Sequence, residues 1–219
     1  MKKIKTSLIM NILIVIFVTL GTIFMFTGFR FMPGPVLLEA NKLEMFKFYT
    51  VDSNILMGLS SLLLLFYEFR LLRGKIKEIP NAIYIIKQIG VTSVSLTFLV
   101  TAIFLMPRFG FFALYNNSNL IFHLIVPILA LVSYIFYEKH NNKYRYALYG
   151  IIPTILYSIY YTSEIIIHLN NGGLTYKYDF YGFLAGSIKN IYISIPAFYI
   201  IVYLISIIII KLNIKANQK

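Results

Sequence analysis

Six long apolar runs dominate the chain, at about 7–29, 50–67, 82–106, 120–137, 147–169 and 191–210, with polar or turn-rich connections between them. Each comes near the ~20 residues a helix needs to cross the hydrocarbon core of a bilayer. The pattern predicts an all-α integral membrane protein, a six-transmembrane-helix bundle forming a single transmembrane domain over residues 1–219. The first run follows Lys2, Lys3 and Lys5, as a signal peptide would. Its apolar stretch is longer than a signal core and no small-residue cleavage site follows, so it reads as a retained helix. No internal repeat, low-complexity tract or second domain is visible.

Composition sharpens this picture. The 219 residues are 59% hydrophobic and 13% charged, with mean hydropathy +0.77, more apolar surface than a soluble domain of this size can hide. Cysteine is absent, which removes disulfides, thiolate nucleophiles and thiolate metal sites. Tryptophan is absent too, leaving 18 Tyr and 19 Phe to supply any interfacial belt. The net charge of +12 invites a nucleic-acid reading, but the basic residues fall between the apolar runs. Thirteen lie on one side, in the N-terminus, the 68–81 and 138–146 connections and the C-terminal tail, against six on the other. The positive-inside rule then places both termini in the cytoplasm of a multi-pass cell-membrane protein (N-in, C-in), with no nucleic-acid partner expected. Lys87 stands inside the third run, two turns from its basic end, and is expected to snorkel there.

Polar residues at the other side carry the candidate chemistry, because ionisable groups within a bilayer are costly and mark functional sites. The second run opens Thr50-Val51-Asp52-Ser53-Asn54, and on a helix Thr50, Ser53 and Asn54 share one face while Asp52 points toward loop or headgroup. In a structural role, Asp52 and Ser53 cap the helix and the small residues allow close packing. The fourth run begins Asn119-Leu120-Ile121-Phe122-His123, one turn in, and Pro127 frees a backbone carbonyl for a nearby hydroxyl to satisfy. In the fifth, Tyr157, Tyr160, Tyr161, Glu164 and His168 fall on one continuous face. Glu164 is the one acidic residue well inside a predicted span, and its candidate partners are His123, His168, Arg108 or a lysine at the surface. No His-x-x-His or Glu-x-x-His spacing suggests a metal, and no Gly-rich phosphate loop or nucleophile elbow occurs, so neither metal nor cofactor is expected. Asn11, Thr19, Thr22 and Thr27 in the first run, and Thr92, Ser93, Ser95, Thr97 and Thr101 in the third, read as helix packing.

Three segments resemble the androgen-induced membrane hydrolases: Phe46-Lys47-Phe48-Tyr49-Thr50 at the entry of the second run, His123 to Pro127 in the fourth, and Tyr176-Lys177-Tyr178-Asp179-Phe180 before the last. The hydrophobic layout is similar along nearly the whole chain. Members of that family are multi-pass threonine hydrolases that cleave fatty acid esters of hydroxy fatty acids with one Thr and one His. The resemblance implies Thr50 as nucleophile and His123 as its base. Asp52-Ser53-Asn54 and the lack of Trp depart from the family pattern.

Such chemistry needs a base to activate the weak Thr hydroxyl, a group to orient the imidazole and donors for the oxyanion. Glu164 or Asn54 suits the second task, and Asn54, Ser53 or a Tyr hydroxyl the third. The expected partner is a membrane lipid or acyl-ester substrate entering from the outer leaflet. Two other readings use the same residues: a carrier or receptor binding a small solute or lipid without catalysis, with Ser53, Asn54, Tyr157, Tyr161, Glu164 and His168 in supporting or binding roles, and a structural protein whose polar residues knit the bundle.

Overall fold

Each of the six apolar runs forms one long helix in the computed structural model, which describes residues 2–34, 40, 42–170, 177–184 and 188–218. They are α1 (Lys2–Thr27), α2 (Tyr49–Leu72), α3 (Asn81–Phe109), α4 (Ser118–Tyr137), α5 (Tyr144–Leu169) and α6 (Ile191–Asn217), all long and apolar enough to cross a membrane. No strand occurs among the described residues. Several helices outrun the apolar segments that announce them. α2 continues past 67 to Leu72 and so takes in Glu68, a residue the hydropathy pattern leaves in a connection.

Side-chain contacts fix the up-and-down order. Lys3 at the start of α1 donates to Asn217 Oδ1 at the end of α6 (3.2 Å), and Ser7 meets Glu68 near the end of α2. These mark a basic end of the bundle. At the opposite, loop-rich end, Asn117 Oδ1 accepts from the backbone N–H groups of Phe31 (2.6 Å) and Met32 (2.9 Å), tying the segment after α1 to the one before α4. Asn117 has φ +53°, a left-handed conformation that Asn tolerates better than most residues.

The main core gathers Ile14 and Val18 from α1, Met57 from α2, Val91 and Val94 from α3, Phe122, Val126 and Tyr134 from α4, and Val202 and Ile205 from α6. Small residues let the backbones approach. A methyl group added at Gly90 would stand 2.7 Å from Ser60 Oγ and 3.2 Å from Met57 Cα, and one at Gly58 2.8 Å from Val18 Cγ1. α5 joins this core through the partly buried Ile151 and Tyr157, while its C-terminal half packs Tyr161 and Ile165 with Leu184 and Ile191 in a separate cluster. The division leaves an opening between α2 and α5.

Two helices widen into π turns just ahead of a proline. In α4 the N–H of Val126 reaches back to Ile121 O, and in α3 that of Met106 reaches back to Thr101 O. Pro127 and Pro107 follow and have no N–H to give. In the wider turn of α4, the carbonyl of Phe122 therefore has no helical donor.

Candidate functional site

Asn54 fills that gap. Fully buried on the face of α2 toward α4, it donates from Nδ2 to Phe122 O at 3.1 Å and to Thr50 O at 2.8 Å. The carbonyl left open by Pro127 is thus satisfied by an amide rather than the expected hydroxyl. Asn54 Oδ1 is buried without a hydrogen-bond partner among the described residues.

His123 sits in the same π turn and packs against the segment before α4. Its Nδ1 lies 2.9 Å from Leu114 O and, facing a carbonyl, must carry the proton. Its ring meets Tyr115 edge-on, and the side chain is 3% exposed. Thr50, half-buried at the head of α2, interacts instead with the Tyr181 hydroxyl. No hydrogen bond joins Thr50 to His123 among the described residues. Ser53 bonds the Thr97 hydroxyl of α3 at 3.1 Å.

The aromatic face of α5 divides among three settings. Tyr157 donates to Lys47 O at 2.6 Å and, with Tyr160, walls the opening toward α2. Tyr161 is buried and donates to Asp179 Oδ1 at 2.6 Å. Asp179 also accepts from the N–H groups of Phe183 and Leu184, and so anchors the segment before α6. Glu164 pairs with His168, Oε2 to Nδ1 3.8 Å, while that Nδ1 donates to Glu164 O at 2.7 Å and the ring stacks on Tyr178. Of Glu164's candidate partners, His168 is the one the structure supplies. Glu164 borders a recess of about 90 Å³ that also meets Lys47 and Lys177. Tyr176 lies outside the described residues, as do 35–39 and 171–175 of the two long loops.

The opening between α2 and α5 is a cleft of about 450 Å³. Tyr49, Asp52, Ser53 and Leu56 line it from α2, Pro153, Leu156, Tyr157 and Tyr160 from α5, and Phe46 from the preceding turn. The i, i+3, i+4, i+7 spacing of the α2 set makes this the helix face beside the one that carries Thr50 and Asn54. Asp52 therefore faces a cleft, where the sequence alone suggests loop or headgroup. Neither Thr50 nor His123 lines it.

A second polar group lies at the basic end, built around Lys87, Glu68 and Glu138. Sequence reasoning misses it. Lys87 does not snorkel: it is 0% exposed, bonded to Asn11 and to Ser61 Oγ (2.6 Å), and 3.8 Å from Glu138 Oε1. Asn11 accordingly serves that lysine as well as packing. The available signal was Lys87 itself, a cation within an apolar run, with Ser7 and Asn11 spaced i, i+4 on one helix face. The hydroxyls of Ser93 and Ser95 bond carbonyls of their own helix, in keeping with packing.

Compared with protein-family models, with curated proteins and with solved structures, the chain matches none.

Proposed function

We propose that this chain is a multi-pass protein of the cell membrane that binds a lipid-like ligand, as a carrier or receptor, in the cleft between α2 and α5. The cleft carries the reading. Its volume of about 450 Å³ falls in the range of small-molecule sites, and its walls are mostly apolar and aromatic with few polar groups. Leu56, Leu156 and the tyrosine rings suit an apolar body. Asp52 and Ser53 suit a head that is cationic or donates hydrogen bonds. Leu156 is also exposed on the outer flank of the bundle, where an acyl chain enters sideways from the bilayer. A photoactivatable long-chain amine should crosslink to peptides of α2 and α5, and Leu156→Trp, which fills the cleft, should abolish that labelling. Equal labelling in the variant would exclude the cleft as the binding site.

The distribution of basic residues supports cytoplasmic termini, which puts the cleft near the outer leaflet. A reporter active only in the cytoplasm should work when fused to the C-terminus; activity of a periplasmic reporter there would reverse the orientation.

One observation favours a second reading, hydrolysis of acyl esters by Thr50 and His123, as the resemblance to the androgen-induced hydrolases implies. The bond from Nδ1 to Leu114 O fixes the ring and leaves the Nε2 lone pair for a base. The Thr50 side chain must then swing from Tyr181 to Nε2. Thr50→Ala and His123→Ala should each abolish labelling by a fluorophosphonate hydrolase probe, and labelling unchanged in either one would rule the dyad out.

A further inference from the structure

At the basic end, four helices and the turn after α4 send polar side chains to one buried place. Glu138 Oε1 accepts from Ser133 Oγ at 2.7 Å and from Asn11 Nδ2 at 3.4 Å, and stands 3.8 Å from Lys87 Nζ. Glu68 Oε1 accepts from Ser7 Oγ at 2.5 Å, and Glu68 interacts electrostatically with both Glu138 and Lys87. Both carboxylates are 1% exposed. Each leaves its other oxygen, Oε2, buried without a hydrogen-bond partner among the described residues.

The charges do not balance. Two carboxylates and one ammonium leave a net negative charge buried where solvation is poor, a state that proteins relieve by taking up a proton or a cation. The neighbouring ionisable groups supply no second positive charge. Tyr84 on α3 and Tyr134 on α4 are neutral phenols that flank His140, and burial pushes the His140 imidazole below its usual range. On α1, Lys3 and Lys5 are exposed, as is Lys139 next to Glu138. On α6 the facing residues are Asn213 and Asn217. No group of three or more His, Asp or Glu side chains suited to a metal occurs among the described residues.

We propose that this cluster is a proton-binding site, holding one exchangeable proton on Glu68 while Lys87 and Glu138 form a fixed ion pair. Glu138 is the better-supported anion, with the ammonium and two hydrogen-bond donors around one oxygen. Glu68 has neutral donors alone, Ser7 and the Asn11 amide, with no ammonium within ion-pair distance among the described residues, and so takes the proton. Uptake forms an O–H bond on Glu68 and makes the cluster neutral; release returns the proton to water at the basic end, one turn beyond. The site lies apart from the cleft, so it stands or falls independently of any ligand.

Infrared difference spectroscopy on the full chain in lipid counts buried protonated carboxyls by their deuterium-sensitive stretch. At neutral pH the wild type should show one such group that is missing in Glu68→Gln, a near-isosteric change. Lys87→Met should raise the count from one to two. If that variant does not fold, the Glu68→Gln comparison alone decides. Absence of the band from the wild type, or its persistence in Glu68→Gln, would overturn the proposal. A wild type whose carboxylates are ionised and shift with sodium would identify a metal cation as the occupant instead.

Discussion

At the scale of single residues, the bundle is governed by how each buried polar atom finds a partner. Asn54 shows this most clearly, since its amide completes a carbonyl that Pro127 cannot serve. His140 offers a test. Its ring stacks on Tyr84 with centroids 4.6 Å apart, and Nδ1 donates to Glu138 O at 3.0 Å. Burial holds the folded imidazole below its ordinary value of about 6.5, so the unfolded chain takes up the proton first. The histidine's contribution to stability therefore falls as pH drops below about 6.5. Burial pushes the Glu138 carboxyl the other way, so that residue contributes stability that is lost as pH rises above its unfolded value. Comparing the melting temperature of wild type and His140→Gln between pH 7 and 5 isolates the histidine: on going to pH 5 the variant should gain stability relative to the wild type. Identical slopes would mean that the histidine is not held neutral. Sequence alone reads these residues unevenly. Asn54, His123 and Glu164 stand out because they interrupt apolar runs, whereas Glu68 and Glu138 sit at run ends, where a charge ordinarily belongs to a solvated loop. Only packing against Ser7, Asn11 and Lys87 reveals them as buried.

Among elements, the α2–α3 contact is set by small residues. Leucine at Gly90 has no room, since its Cβ alone stands 2.7 Å from Ser60 Oγ and 3.2 Å from the α2 backbone at Met57. Overpacking of this kind costs about 1–3 kcal/mol, which should appear as a lowered unfolding midpoint for Gly90→Leu in detergent. A midpoint equal to wild type would show that the helices are not in close contact there. Hydropathy located all six helices, because each is long and apolar enough to cross a membrane. It placed their ends less well. A hydropathy window stops at the first ionisable residue, but α2 carries on through Glu68, whose side chain is buried, to Leu72. Helix faces were legible only in part. The stripe from Tyr157 to His168 does lie along α5, yet its members serve a cleft, the Asp179 anchor and a peripheral ion pair, because α5 stands partly off the core. Nor does sequence spacing tell which face of α2 meets α5. That is why Asp52, not Thr50, lines the cleft.

For the whole molecule, the arrangement is a bundle with different business at its two ends. The basic end packs a buried polar cluster, and the loop-rich end leaves a cleft between α2 and α5. Thr50 and His123, the two residues that the hydrolase resemblance makes catalytic, do not line this cleft, which favours binding over hydrolysis there. The most direct test is an experimental structure of the full chain in lipid nanodiscs. Ligand binding in the cleft predicts elongated density along Leu56 and Leu156, with its polar end against Asp52 and Ser53. A cleft closed by its own side chains, or left empty while lipid is resolved elsewhere around the bundle, would contradict it.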